Sequence, residues 1–269
     1  MQLSNSPVLS ASFGRSSLML LALSVALIFP GLLWADPQAP AQNPSAAHPL
    51  DPAIRLVAEA KQSFQGVRDY TCLFIKRERI RGQLQIENLI TMRSRTQPFS
   101  VYLKWLGPRP FTNQEVCYVE SRNNGMMRVK AAGLIGAVGF VSLDPRDPRA
   151  MENSRHTINE AGIGNLIERF TAGYDQDRRI NRTQVRIADY DYNKRRCTRV
   201  ETIHLDNSAG PGGFYRSIVY FDKENKLPIR VENYDWPRQG GAPGGELLEE
   251  YSYVDLKLNV GLTDQHFNY

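Results

Sequence analysis

The chain of 269 residues carries 33 basic and 28 acidic residues, which gives a net charge of +5 at neutral pH. So small an excess does not indicate a nucleic-acid-binding protein, and we expect no nucleic acid partner. The length fits one all-β domain behind an N-terminal extension. The cysteines show no CxxC spacing, which gives no support to zinc or redox chemistry.

Residues 1–35 predict a secretory signal peptide. An apolar run from Leu18 to Leu33 follows a short segment that contains Arg15, and Ala35 supplies a small residue at the cleavage point. The alternative is a membrane anchor, but the run is shorter than the roughly 20 residues a spanning helix needs and contains Pro30. We therefore predict an exported, periplasmic protein that is soluble after cleavage.

Residues 36–52 are rich in Pro, Ala and Gln without a hydrophobic period, which predicts an extended tether. Asp51 and Pro52 then supply an N-cap and a proline for the first helical turn. Apolar residues follow at helical spacing from Ile54 to Phe64, before Gly66. The domain is therefore predicted to open with one amphipathic helix.

Strand patterns follow in quick succession. Tyr70 to Ile80 leads through a Gly turn into a second strand, which predicts a long hairpin. The second strand places four apolar side chains on one face: Leu84, Ile86, Ile90 and Met92. In the third strand, the face opposite Lys104 carries Phe99, Val101, Leu103 and Trp105. Asn123-Asn124-Gly125 then predicts a hairpin turn between two further strands.

The middle of the chain predicts a second helix, from about Glu160 to Ala172. Thr157 and Glu160 have the spacing of a capping box, and Gly162 weakens the first turn. Strand patterns then resume up to the terminal "LLEEYSYVDLKL". One face of this last strand carries Val254, Leu256 and Leu258, and the other carries Tyr251, Tyr253, Asp255 and Lys257.

The succession of nine or ten antiparallel strands predicts a mainly β protein with helices. Because strand twist accumulates, a sheet of that size curls into an incomplete barrel, with the helices packed on it or into it. The aliphatic face of the terminal strand should look into the concavity or onto a helix.

Four stretches resemble a family of known architecture: "DYTCLFIKRERIRG", "VYLKWLGP" followed by "EVCYV", "YFDKENKLPIRVENYDWP" and "EEYSYVDLKLNVGLTDQHF". They are similar to a bacterial domain-of-unknown-function family with the architecture of LolA and LolB, the outer-membrane lipoprotein-sorting proteins. The resemblance implies a single LolA-like half-barrel over residues 53–269, whose apolar concavity is closed by helices and holds acyl chains. It implies no catalytic residues. The long tether, the cysteines and the many arginines depart from that pattern and leave the cargo open.

The predicted binding site is an apolar wall with a helical lid. The wall would consist of Ile86, Ile90, Met92, Val101, Leu103, Trp105, Val254 and Leu256, and the lid of Leu166, Ile167 and Phe170. The predicted function is non-enzymatic binding of an acyl chain, lipid or lipoprotein. A structural or adaptor protein of the envelope with a filled core is the alternative, and a hydrolase is a more distant one.

Other residue patterns favour no specific chemistry. The four histidines are scattered, and the acid pairs Asp175 and Asp177, and Asp189 and Asp191, suit solvated faces. No metal site, cofactor or catalytic residue is therefore expected. The cysteines are interpreted as buried small hydrophobes, or else Cys72 and Cys197 form a disulfide.

Basic residues cluster in three places. They are Lys76, Arg77, Arg79 and Arg81, then Arg178, Arg179 and Arg182, and finally Lys194, Arg195, Arg196 and Arg199. These clusters either contact an anionic membrane surface or a lipoprotein, or lie on solvated faces where Glu78, Glu87 and Asp189 partly neutralise them.

Overall fold

The computed structural model of the protein describes residues 47–206 and 213–269. Within them the chain forms the α-helices α1 Asp51–Phe64, α2 Pro148–Met151 and α3 Ile163–Ile180. The strands are β1 Asp69–Ile80, β2 Gln83–Leu84, β3 Asn88–Arg95, β4 Ser100–Gly107, β5 Glu115–Val119, β6 Met127–Lys130, β7 Val141–Leu143, β8 Thr183–Tyr192, β9 Arg195–His204, β10 Arg216–Asp222, β11 Pro228–Tyr234 and β12 Leu247–Leu258. The predicted signal peptide and most of the predicted tether lie outside the described residues.

All the strands belong to one antiparallel sheet in the order β7-β6-β5-β4-β3-β1-β12-β11-β10-β9-β8, with β2 beside β1. Because β7 and β8 are separate edges, the sheet is not closed. The predicted fold class, a curved antiparallel sheet that forms an incomplete barrel with helices, is therefore confirmed. The described residues contain twelve strands rather than nine or ten, since β2 and β7 are too short to show a period.

The terminal strand joins the two halves of the sheet. β12 pairs with β1 on one side and with β11 on the other. Its contact with β1 brings the first and last long strands together at the centre, so the middle of the sheet is built from segments that are far apart in sequence.

Both predicted helices exist, with different ends. α1 begins after Leu50, which is its N-cap, and the predicted N-cap Asp51 accepts a hydrogen bond from the His48 backbone at 2.9 Å instead. Leu50 is fully buried, so the folded part begins inside the predicted tether. α3 ends at Ile180, with Asn181 as its C-cap in the left-handed conformation, rather than at Ala172.

The start of α3 is fixed by Gly162. Its φ is 101°, and a Cβ added there would lie 2.8 Å from the Tyr70 hydroxyl, which accepts a hydrogen bond from the Ile163 backbone at 2.9 Å. Thr157 and Glu160, the predicted capping box, lie in a separate 3-10 turn whose side chains bond to each other at 2.7 Å. The helix therefore begins three residues later than predicted.

The two faces of the sheet carry different cores. The inner face, which packs against α1 and α3, holds the main hydrophobic core. The outer face holds two smaller clusters, one around Tyr102 and Phe267 and the other around Tyr220 and Ile229. Among the described residues, the long helices α1 and α3 cover the inner face, and a 3-10 helix, Asp264–Phe267, covers part of the outer face.

The three cysteines are free and buried, so the disulfide alternative is wrong. Cys72 lies in the main core, whereas Cys117 and Cys197 lie in the two separate outer clusters. Burial raises the pKa of Cys117 to about 12 and that of Cys197 to about 11. Because the thiolate is the reactive form, these residues act as small hydrophobes.

Candidate functional site

A cavity of about 270 Å³ lies on the inner face of the sheet. A segment that we name the strap, residues 145–162, runs from the end of β7 to α3 and lines the cavity opposite the strands. The apolar walls are Phe74, Ile90, Leu103, Trp105, Val116, Met127, Val129, Leu143 and Tyr253 from the sheet, and Ala150, Met151, Ile158, Ala161 and Leu166 from the strap and α3. The first half of the sheet therefore encloses an apolar space beneath the strap.

Four of the predicted site residues line this cavity: Ile90, Leu103, Trp105 and Leu166. Met92, Val101 and Ile167 are buried in the main core beside it and do not line it. The indole of Trp105 is fixed by a hydrogen bond to Asn88 Oδ1 at 2.8 Å. These seven residues therefore lie in one hydrophobic core, and four of them line the cavity.

The other predicted wall and lid residues lie elsewhere. Ile86 is not in a strand and is 58% exposed, because β3 begins at Asn88. Val254 lies outside the main core, since Tyr251 and Tyr253 occupy the inner face of β12. Leu256 is partly buried against the main core but does not line the cavity. Placing Ile86 and Val254 on the inner face was wrong.

A buried ionic cluster forms the polar end of the cavity. Glu78 on β1 and Glu249 on β12 stand directly opposite each other, and both are almost fully buried. Glu78 accepts hydrogen bonds from the Tyr251 hydroxyl and from the Arg155 backbone, and its carboxylate lies 3.0 Å from the Lys76 ammonium. Two adjacent buried carboxylates are stable only with such partners.

Glu249 has the larger set of partners. Its carboxylate accepts hydrogen bonds from Arg155, His156 and Asn233, each at 2.8 Å, and Arg169 lies 3.6 Å away. Burial alone would raise the pKa of Glu249, but the hydrogen bond and charge of His156, with Asn233 and Arg169, lower this pKa to about 2. Glu249 is therefore a carboxylate at neutral pH.

The ionic cluster holds the strap against the sheet. Arg155 and His156 belong to the strap, and the Lys76 ammonium on β1 donates to the Asn153 carbonyl at 3.1 Å and to Ser154 at 3.2 Å. Sequence reasoning missed these residues, because the partners on β1, β12 and the strap are distant in the chain. An acid on the apolar side of a strand pattern would have been the only signal.

A second cavity, of about 340 Å³, lies along α3 and the second half of the sheet. Phe170, the predicted lid residue, lines this cavity and not the first. His204 bonds to Asp177 at 2.8 Å; burial would lower the pKa of His204, but Asp177 raises it. The prediction of a solvated Asp177 was wrong, since α3 extends to place it against β9. Leu166 and Arg169 line both cavities.

Most residues of the basic clusters are paired with acids. These pairs include Arg195 with Asp222 at 2.5 Å, Arg182 with Asp206 at 2.7 Å, Arg178 with Asp51 at 3.2 Å and Arg199 with Glu201 at 3.2 Å. Two of the acids expected to neutralise the clusters are also paired: Glu78 with Lys76 and Asp189 with Arg196. These ion pairs agree with the alternative in which acidic residues neutralise the basic clusters. Contact of the clusters with an anionic surface stays a prediction.

The family model described as "Protein of unknown function (DUF1571)" matches residues 67–269, which include the cavity walls, the strap and the ionic cluster. The chain belongs to the DUF1571 family. The prediction of a domain-of-unknown-function family is thereby confirmed. No curated protein matches this DUF1571 chain.

Solved structures of similar fold have low identity to this DUF1571 chain. A putative outer membrane lipoprotein-sorting protein domain from Vibrio parahaemolyticus is 14% identical, with a TM-score of 0.39, over 80% of this chain and 95% of its own. An uncharacterized conserved protein from Thermus thermophilus is 11% identical, with a TM-score of 0.46, over 81% and 94%. The lipoprotein LppX from Mycobacterium tuberculosis is 11% identical, with a TM-score of 0.41, over 79% and 98%. This likeness concerns the fold alone.

Two kinds of feature are absent from the described part of the DUF1571 chain. Among residues 47–206 and 213–269, no group of three or more His, Cys, Asp or Glu side chains is placed to hold a metal ion. In the same residues no helix has the length and apolar character needed to cross a bilayer.

Proposed function

We propose that the chain binds a lipid with a single acyl tail, free or attached to a protein, in a role that is not catalytic. The tail lies in the cavity beneath the strap, and the polar group meets the ionic cluster. The observation that carries this proposal is the junction within one cavity of apolar walls, such as Ile90 and Trp105, with Lys76, Glu78 and Arg169. Such a division suits a molecule with one apolar and one polar end.

The size of the cavity supports one tail. About 270 Å³ equals the volume of about nine water molecules, and a methylene group is of similar size. Burying about nine methylenes at about 0.8 kcal/mol each contributes about 7 kcal/mol. Association costs about 4 kcal/mol or more, which leaves millimolar affinity or weaker. Contacts of the polar group therefore have to supply any micromolar affinity.

Arg169 is the residue best placed to contact that polar group. Its side chain is 39% exposed and lies 3.6 Å from Glu249, whereas Arg155 and His156 contact the same carboxylate at 2.8 Å. The guanidinium can therefore turn to a ligand while Glu249 keeps its closer partners. This arrangement favours an anionic polar group, a carboxylate or a phosphate.

Replacing Ala150 by tryptophan tests the location of the tail. Ala150 lies on α2, is partly buried and lines the cavity, so an indole there fills the space that the tail needs. We expect at least about tenfold weaker displacement of a fluorescent fatty-acid probe by dodecanoate. Ala188→Trp, at an exposed position of β8, is the matched control and should bind as the unaltered protein does.

A second variant tests the polar end separately. Arg169→Gln should weaken dodecanoate but leave dodecanol unchanged, because only the acid carries a charge. Absence of saturable binding by the folded, unaltered protein would contradict the lipid proposal and favour the structural or adaptor alternative. Equal binding by Ala150→Trp and Ala188→Trp would place the tail outside this cavity.

We also propose that residues 1–35 are a signal peptide that is removed on export to the periplasm, leaving a tether from residue 36 that ends before the buried Leu50, where one domain begins. The support is the apolar run from Leu18 to Leu33 followed by Ala35. Intact-mass measurement of protein from the envelope fraction should give a chain that begins at Asp36. A chain that retains Met1 in the membrane fraction would contradict cleavage.

A further inference from the structure

The connection between β6 and β7 is an exposed apolar loop. From Ala131 to Leu143 the sequence has no charged residue. Leu134 is 94% exposed, Val138 79% and Ile135 74%. Single exposed aliphatic residues are ordinary on protein surfaces, but a continuous group of this kind marks an interaction site.

The loop is a compact structure rather than a loose connection. Residues Gly133–Val138 form 3-10 turns. Gly133 and Gly139 have φ values of 65° and 87°, and a Cβ at Gly136 would lie 2.3 Å from the Ala131 carbonyl oxygen. Glycine is therefore needed at these three positions to fold the segment while its aliphatic side chains stay exposed.

Basic side chains lie on both sides of this loop. Arg128 and Lys130 precede it, and Arg146 and Arg149 follow it, against two acids in the same stretch, Asp144 and Asp147. Arg128 donates to the Phe140 carbonyl at 3.0 Å, which holds one of these charges at the loop. The side chain of Arg149 is 77% exposed and pairs with Asp147 at 2.8 Å, and Lys130 pairs with Glu115 at 3.2 Å. Arg128 and Arg146 therefore supply the excess positive charge. An apolar tip between basic flanks is complementary to an anionic lipid surface.

We propose that this loop, residues 131–141, docks the protein on an anionic phospholipid bilayer by inserting its aliphatic side chains among the lipids. The exposed group is aliphatic and contains no Tyr, Trp or Arg, the residues that dominate protein interfaces, so an apolar medium fits it better than a protein partner. Ala131 and Leu143, at the two ends of the connection, also line the cavity beneath the strap. Docking through the loop therefore brings the cavity next to the bilayer.

Vesicle co-sedimentation tests this inference with the protein that begins at Asp36, so that the apolar run from Leu18 to Leu33 cannot itself bind the vesicles. We expect binding to vesicles of phosphatidylcholine mixed with phosphatidylglycerol, weakened by salt and by omission of phosphatidylglycerol. L134S/I135S should bind at least about tenfold more weakly. The matched control is I187S/L205S, which alters two exposed residues of the same types at β8 and just after β9, and which should bind as the unaltered protein does.

Dodecanoate binding and sedimentation velocity on the same variants separate the competing explanations. L134S/I135S should retain dodecanoate binding, because neither residue lines the cavity. Vesicle binding that is equal in the two double variants, or absent in the unaltered protein, would overturn the membrane proposal without affecting the cavity proposal. The unaltered protein could instead self-associate, and L134S/I135S could abolish this self-association while vesicle binding persists. That result would show that the loop contacts a second copy of the chain, and would also overturn the membrane proposal.

Discussion

Val101→Asp is expected to lower the free energy of unfolding by about 4 kcal/mol or more. Val101 is fully buried on the inner face of β4, between Ser94 on β3 and Tyr118 on β5, and it does not line the cavity. A carboxylate there would lose its hydration inside the main hydrophobic core. Denaturant unfolding followed by circular dichroism measures the loss.

Two further variants on the same strand sharpen the test. Leu103 lies on the same face but lines the cavity, so Leu103→Asp should be less destabilising than Val101→Asp if water reaches that space. Lys104→Gln, on the outer face, should change the free energy of unfolding by less than about 1 kcal/mol. Equal losses for Val101→Asp and Lys104→Gln would mean that the face of β4 is assigned wrongly.

The outer face of β4 shows what a local pattern cannot reveal. Period-two alternation correctly predicted Val101, Leu103 and Trp105 on the inner face. Tyr102, which the same alternation places on the opposite face beside Lys104, is nevertheless buried, because the C-terminal tail folds back and stacks Tyr269 on its ring at 4.5 Å. Its hydroxyl donates to Glu115 at 2.6 Å. The C-terminal tail that buries Tyr102 is distant in sequence, so its contact leaves no periodic pattern in the residues of β4.

The terminal strand was predicted as a strand but with the wrong face inward. Tyr251 and Tyr253 face the cavity, and the register with β1 then shifts between Val254 and Lys257. Asp255 has a φ of 52°, so one extra residue there brings Leu256 and Leu258 back to the main core. A bulge reverses the alternation, and the aliphatic triplet Val254, Leu256 and Leu258 therefore does not share one environment.

The polar end of the site could not be derived from the sequence, because its carboxylates look like ordinary members of an alternating pattern. Glu249 follows two leucines and precedes Glu250, and the sequence does not mark either of these two acids as buried. Its burial arises from the pairing of β12 with β1 and from the strap that crosses above. The fold class follows from local patterns, whereas this cluster depends on contacts between distant segments.

Acidification is expected to destabilise the protein through Glu249. A folded-state pKa of about 2, against a usual value of 4.5, means that the carboxylate stabilises the fold fully above pH about 4.5 and progressively less as the pH falls toward 2. At about 1.4 kcal/mol for each pKa unit, the difference corresponds to about 3 kcal/mol. Free energies of unfolding measured between pH 7 and pH 3 should therefore decline.

Glu249→Gln should remove most of that decline and lower the stability at pH 7 by about 3 kcal/mol, because Arg155, His156 and Arg169 then surround a neutral amide. Glu168→Gln is the matched control, since this glutamate lies on α3, is 61% exposed and pairs with the exposed Lys61. It should keep the acid dependence of the unaltered protein. Equal acid dependence in Glu249→Gln and the unaltered protein would show that other carboxylates govern the response. If Glu249→Gln also increases proteolysis within residues 145–162, the ionic cluster is what holds the strap over the cavity.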